Sequence, residues 1–209
     1  MSEPSSKKLP KAQRREQLLD VAMAVVREEG TDALTLAHLA ERAGVSKPIP
    51  YEHFQSRAGL LMALYERIDA AQVVEFKEAL QRARRKLEDV ARVMSSATMH
   101  CYRSIGPEQH AISAALRGDG QMEHFYQGVL DRHVDLYQGA LAPYCELSKE
   151  TLRQRCVGIV GAAEAISCDM LRGAISESVA TATLSSLIVS WLSARKEGRP
   201  ATRSTPALK

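Results

Sequence analysis

Apolar residues recur three and four positions apart along most of this chain, the spacing of helices that bury one face. Leu18, Ala22, Val25 and Val26 form one stripe of a first helix over about residues 11–29, with Gly30 as its stop. Leu36, Leu39, Ala40 and Ala43 then share one face of a short second helix, which Thr35 can cap by accepting a free backbone N–H. Gly44 stands where that helix must end and the chain reverse, a position that favours positive φ. Val45 plugs the turn from inside, and Ser46 reads as the N-cap of a third helix. Ala40 matters by its size, because a larger side chain would hold the third helix away from the second and spoil a crossing angle suited to the major groove. Residues 35–54 therefore predict two short helices joined by a tight turn, the geometry of a helix-turn-helix.

The same periodicity continues downstream. Phe54 closes the small core, and Ser56 caps a fourth helix carrying Leu60, Leu61, Leu64 and Ile68. The pattern stays helical to about Tyr102, with a break expected over residues 85–89. Gly106-Pro107 predicts a turn with Pro107 at the first position of the next helix, and Gly118-Asp119-Gly120 predicts another. A helix beginning near Gln121 ends at Ala142-Pro143. Ser148 and Thr151 are candidate caps for a helix in which Leu152, Cys156, Ile159, Ala163, Ile166 and Met170 form a packing seam. Its opposite side carries Gly158, Gly161, Ala162 and Ala165, small enough for close approach of another helix. A last helix over about residues 176–194 contains Leu184, Leu187, Ile188, Trp191 and Leu192, and the polar, proline-containing residues 196–209 read as a disordered tail.

Composition narrows the function classes. At 209 residues and 45% apolar content the chain can bury a second core beyond a small DNA-binding module, so two helical domains fit. No run reaches the roughly 20 apolar residues of a spanning helix, and the polar start lacks a signal-peptide core, so a soluble cytoplasmic protein with no membrane partner is expected. The net charge of +3 is too small to establish nucleic-acid binding by itself. Lys7, Lys8, Lys11, Arg14 and Arg15 nevertheless gather before the first helix, giving an arm suited to phosphates or simply to water. A second run, Arg82, Arg84, Arg85 and Lys86, reads as a solvated face. Cys101, Cys145, Cys156 and Cys168 are scattered without zinc-ligand spacing and read as reduced thiols, with redox sensing as the alternative. No glycine-rich phosphate loop, G-x-S-x-G, H-E-x-x-H or suggestive carboxylate pair supports an enzyme, and no cofactor or metal is implied.

The run Thr35, Ala43 to Ser46, Tyr51 to Phe54 and Arg57, preceded by an amphipathic helix ending at Gly30, resembles the TetR family of bacterial transcriptional repressors over about residues 11–71. The resemblance implies an all-α fold: a disordered basic arm at 1–10, a three-helix helix-turn-helix domain at 11–71, a helical ligand-binding and dimerisation domain at 72–195, and the tail. It further implies a ligand-responsive repressor that binds a palindromic double-stranded operator as a homodimer and is released by a small, mostly apolar effector. Thr35, Ser46, Lys47, Pro48, Tyr51, His53 and Arg57 are the DNA-binding candidates on this basis. Tyr51 also fits a core aromatic with its hydroxyl at the rim, and Glu52 is left unassigned. Pro48 and Pro50 depart from the family pattern, but a proline is tolerated in the first helical turn, where most N–H groups lack intrahelical partners.

For the second domain the resemblance implies an effector pocket, for which Met94, Met99, His100, Tyr102, Met122, Phe125, Tyr126 and Tyr137 are the candidates, with His124 and His133 as further polar options. The last two helices resemble the pair that meets its symmetry mate in a four-helix bundle, with Ile159, Ala163, Ile166, Met170, Leu184, Leu187 and Trp191 at the interface. Completion of the monomer core is the other reading of that surface. An effector-independent architectural DNA binder and, more remotely, a helical enzyme are the alternatives in function.

Overall fold

A computed structural model describes residues 9–83, 86–118 and 120–193, and among them all regular secondary structure is helical. Residues 1–8 of the expected N-terminal arm, including Lys7 and Lys8, and the C-terminal tail fall outside the described residues, as do Arg84, Arg85 and Asp119. The helices are α1 (Lys11–Glu29), α2 (Leu36–Arg42), α3 (Pro48–Phe54), α4 (Arg57–Gln81) and α5 (Leu87–Ile105). They are followed by α6 (Glu108–Leu116), α7 (Gly120–Leu141), a 3-10 turn (Ala142–Tyr144), α8 (Lys149–Leu171) and α9 (Glu177–Ser193).

Two hydrophobic cores organise these helices. In the first, Leu18, Ala22 and Val25 of α1 lie fully buried against Leu39 of α2 and Leu60, Leu61 and Leu64 of α4, with Phe54 of α3 at the edge. This core is not closed by residues 11–71 alone. Ile112 and Leu116 of α6 and Met122, Tyr126 and Val129 of α7 complete it. In the second core, α5, the later half of α7, α8 and α9 pack around Met94, Met99, Ile159, Leu184 and Ile188. The 25-residue α4 contributes to both, through Leu60–Ile68 at one end and Phe76 at the other. At 1.5 Å per residue it spans about 37 Å, long enough to carry a tilt from one core to the other.

Polar links tie α4 and its neighbours together where the cores meet. Arg67 of α4 donates to Asp20 of α1 at 2.6 Å, and Arg27 of α1 pairs with Glu108 of α6 at 2.9 Å. Gln72 of α4 donates to the buried Gln109 of α6 at 2.8 Å, and Asp69 of α4 meets His133 of α7 at 2.6 Å.

Three sequence expectations change. The break between α4 and α5 falls earlier than residues 85–89, since α4 ends at Gln81 and Leu87 already begins the next helix. Lys11, Arg14 and Arg15 do not precede the first helix but occupy its opening turns. The largest change concerns the seam of α8 and α9. Ile159 and Leu184 are fully buried, and Ala163 and Met170 nearly so, inside the chain's own second core. Ile166 and Leu187 are half-buried against the same core. A 3–4 spacing marks a stripe that will be covered, but it does not specify which helix covers it; here α5 lies against α9 and fills that place. Of the residues expected at the interface, Trp191 remains substantially exposed, at 40%. It lies over Gly158, where an added Cβ would come within 2.5 Å of the indole, so the glycine is required for this approach.

Candidate nucleic-acid interface and interior cavity

The turn between α2 and α3 follows from its residues. Thr35 accepts the His38 N–H at 3.1 Å and so caps α2. At the other end the Gly44 N–H reaches Glu41 O at 3.1 Å and the Val45 N–H reaches Ala40 O at 3.0 Å, with Gly44 at φ 64°. A side chain at this φ would be strained. Ala40 is 1% exposed, and its small side chain leaves room for α3 to pack.

The start of α3 departs from expectation. Ser46 does not supply a side-chain cap; Lys47 occupies the N-cap position with helical backbone angles, and no side chain accepts a helix N–H there. A side-chain cap normally takes the N–H of the second or third residue after it. For Ser46 the second is Pro48, which has none, and the Ile49 N–H is already taken by the Ser46 carbonyl at 3.0 Å. Pro48 and Pro50 therefore lie within the first turn, where they remove donors that would lack helical partners. Pro50 is buried, whereas Pro48 is exposed.

The far end of α3 is held more tightly. Gln55, at φ 65°, forms a sharp turn in which the Ser56 N–H reaches Phe54 O at 2.7 Å, and Ser56 Oγ then caps α4 by accepting the Gly59 N–H at 3.0 Å. Arg15 of α1 donates to His53 O at 3.1 Å while its guanidinium lies 4.9 Å from the Phe54 ring centre. Arg15 was visible in the sequence as part of a basic run, but its role in positioning α3 was missed, because a contact 38 residues away leaves no local signal.

These contacts leave Ser46, Lys47, Pro48 and Tyr51 exposed on one side of α3, with Thr35 exposed at the start of α2. Tyr51 is 49% exposed and does not fill the core. His53 is half-buried; burial and the nearby positive charges of Lys11, Arg15 and Arg14 push its pKa below the usual histidine value, against the opposing effect of Glu52. It is therefore largely neutral at pH 7, able to donate one hydrogen bond. Arg57 is turned largely inward. Its Nε donates to Leu34 O at 3.0 Å and its Nη2 to Thr31 O at 2.7 Å, so it braces the loop before α2 against the start of α4.

The second domain encloses a cavity of about 50 Å³. Gln72, Val73 and Phe76 of α4 form one wall, and Ala97, Thr98, Cys101 and Tyr102 of α5 another. His133, Leu136 and Tyr137 of α7, with Val160 and Ala163 of α8, complete it. Of the residues expected here from sequence, Tyr102 and Tyr137 line it, as does His133. Met94 and Met99 are buried in the second core without lining the cavity. Met122, Phe125 and Tyr126 belong to the first core, where Tyr126 packs edge-on against Tyr65 and accepts a hydrogen bond from Arg117 at 2.9 Å. His100 and His124 are exposed, and His100 faces Glu177 at 3.7 Å. Methionine and aromatic content marks adaptable interior, but it does not locate an empty space. The α4 wall has a helical signal of its own, since positions 72, 73 and 76 share one face.

Tyr137 stacks on Phe76 with ring centres 5.1 Å apart and shares a 2.6 Å hydrogen bond with Thr98. Cys101 donates its thiol proton to Glu75 at 3.0 Å; burial, reinforced by Glu75, pushes its pKa up to about 12, so it remains protonated at neutral pH. Among the described residues no group of three or more His, Cys, Asp or Glu is placed to hold a metal ion, and no helix is long and apolar enough to cross a membrane.

Residues 18–64 match the model for bacterial regulatory proteins of the tetR family. The HTH-type transcriptional activator FasR of Mycolicibacterium smegmatis is 43% identical over 60 residues, covering 29% of this chain and 27% of FasR. The nucleoid occlusion factor SlmA of Vibrio campbellii is 34% identical over 85 residues, covering 40% of this chain and 43% of SlmA. The matched segments thus span less than half the length of these curated relatives. In fold, a TetR-like transcriptional regulator from Rhodococcus sp. RHA1 superposes with a TM-score of 0.66 at 24% identity, covering 87% of this chain and 96% of that one. Residues 18–64 therefore carry the N-terminal sequence of the tetR family of bacterial regulatory proteins, and the described residues share the fold of a TetR-like transcriptional regulator.

Proposed function

We propose that this protein is a transcriptional regulator that binds a palindromic operator as a homodimer through α3 and releases it when a small, mostly apolar molecule occupies the cavity in the second domain. The observation that carries the reading is the exposed side of α3, where Ser46, Lys47, Pro48 and Tyr51 stand free of the core while the opposite side is braced by Arg15 and buried Pro50. Lys47 reaches a guanine edge or a phosphate; Thr35, Ser46, Tyr51 and His53 donate to phosphates. Arg57 acts mainly as a brace, leaving Nη1 for a phosphate. Residues 11–71 serve as the DNA-binding domain, with α4 carrying the signal onward to 72–195.

The homodimer face consists of the exposed sides of α8 and α9, which carry Val157, Val179 and Trp191 and the small residues Gly158 and Gly161, with Trp191 lying over Gly158. Two-fold symmetry presents two copies of α3 to successive major grooves, which is why the operator is palindromic. Ligand acts only by favouring one arrangement of α4 over another, since equal affinity for both would shift nothing. Repression follows from blocking polymerase; activation, as in the name of FasR, is the contrary outcome of a transcription assay.

Selection of bound fragments from genomic DNA identifies an operator, and titration of that operator tests the contacts. The combined Lys47→Ala and Tyr51→Ala variant is expected to weaken binding roughly a hundredfold and to flatten its salt dependence while remaining a folded dimer. A folded variant with wild-type affinity contradicts the assignment.

A second reading, an architectural DNA binder that needs no effector, draws support from two observations. SlmA is a nucleoid occlusion factor, and a 50 Å³ cavity is well below the roughly 300 Å³ at which pockets for drug-sized ligands begin. Under the first reading the cavity enlarges on binding; under the second no small molecule alters operator affinity.

A further inference from the structure

Ion-pair accounting along α8 and α9 leaves one arginine and one carboxylate without a match. Arg153 of α8 meets Asp131 and Asp135 of α7 at 2.7 and 3.0 Å, and Arg172 meets Asp169 at 2.6 Å. Glu164 pairs with Arg117, and Glu177 of α9 pairs with Arg103 of α5 at 2.9 Å. Among the described residues, no ion pair engages Arg155 or Glu150. Arg155 Nη1 is buried and has no hydrogen-bond acceptor, although Arg155 borders an open recess between α8 and α9 with Thr151, Gln154, Gly158 and Trp191. Glu150 is exposed and accepts a 3.3 Å hydrogen bond from Gln154. Five positions apart, the two leave the helix in directions about 140° different, so they do not meet within one copy. Lys149, beside Glu150, is exposed at the helix start and is satisfied by water.

Resting on the reading of the exposed sides of α8 and α9 as the homodimer face, we infer that Arg155 and Glu150 pair reciprocally across it and select a second copy of this chain. A two-fold interface repeats each contact, so Arg155 of each copy receives Glu150 of the other. The driving force is the state of Arg155 in a single copy. Its guanidinium has lost part of its water shell at Nη1 without gaining an acceptor, which is unfavourable for a charged group. A carboxylate entering the recess offsets the charge and offers two oxygens to the planar fork of N–H groups. Trp191, lying over Gly158 at the same recess, keeps water from the pair. The exposed Val157, Val179 and Trp191 supply apolar area that many surfaces could cover. The ion pair adds selection, because a chain of the same fold without the carboxylate would leave Arg155 unmatched in the assembled face.

Sedimentation equilibrium of the full-length protein, with circular dichroism to verify folding, tests the pair by exchanging its charges. Glu150→Arg and Arg155→Glu each set like charges together twice, and each is expected to raise the dimer dissociation constant at least about tenfold. The double variant restores opposite charges in exchanged positions and should return to within about threefold of wild type. Glu150 is exposed, so Glu150→Arg remains a folded test even if Arg155→Glu disturbs the packing beside it. Val157→Asp, on the same face but outside the pair, should weaken the dimer with no recovery from the exchanged charges. Folded single variants that dimerise like wild type, or a double variant no tighter than the weaker single, overturn the Arg155 and Glu150 pairing. If Val157→Asp still dissociates the dimer in that case, the homodimer face stands without the pair. A wild-type protein that stays monomeric at micromolar concentrations, or a folded Val157→Asp dimer as tight as wild type, overturns the homodimer-face reading itself.

Discussion

The first core and the second core are built from the same helical periodicity, yet they differ in how much of their organisation is local. In the first, Thr35 caps α2, Gly44 reverses the chain and Ser56 starts α4, all through contacts within a few residues. In the second, the buried stripe of α8 and α9 could face either the chain's own helices or a second copy, and only the packing against α5 assigns it to the interior. Local turn chemistry therefore specifies the orientation of short elements, whereas long amphipathic helices specify only that some partner must cover them.

The largest expected effect tests that assignment directly. Leu184→Ala removes a fully buried side chain from the second core and should cost about 2–5 kcal/mol, seen as a lower melting temperature by circular dichroism. If it leaves stability unchanged and instead dissociates a dimer, the stripe is an interface and the contrast between the two cores fails. A smaller effect is expected where a distant residue supports the first core. Arg15→Met loses the hydrogen bond to His53 O and the stacking on Phe54, with an expected cost of about 1 kcal/mol. Operator affinity should fall several-fold while the melting temperature changes little, because α3 loses its orientation before the domain unfolds. A large loss of stability with operator binding retained would make Arg15 a general brace.

The smallest effect concerns His53. Its pKa in the free protein lies below about 6.5, chiefly through burial, and an adjacent phosphate raises it in the complex. Binding then takes up a proton, so operator affinity should improve by less than about tenfold as pH falls from about 7.5 to 6, and His53→Asn should remove that component. The same lowered pKa acts in the opposite direction on folding: stability is lost as pH falls below the unfolded value, because the unfolded chain binds the proton more readily. A pH dependence retained in His53→Asn would assign it to another group.

Much of the first region was legible because the controlling interactions were short. Gly44 at φ 64° and Ala40 at 1% exposure occupy the roles their residue types suggest. The Ser46 cap was misread for an equally local reason: Pro48 removes one of the N–H groups it would have accepted. The cavity was only partly legible. Tyr102 and Tyr137 were placed in it, but Gln72, Ala97 and Val160 converge there from three helices, and no spacing within one helix encodes such a meeting.

By itself the sequence determined that the chain is helical, where the caps and reversals fall around α2, and that Lys47 and Tyr51 follow the turn, while the exposure of Tyr51 came only from the structure. Those features depend on backbone donors, φ preferences and 3.6-residue periodicity, all expressed within a few residues. Tertiary structure alone decided that α6 and α7 complete the first core, that Arg15 holds α3, that Arg57 turns toward backbone carbonyls, and that α5 covers α9. Each of these depends on competition among distant surfaces for the same buried space, which is settled only when the whole chain packs.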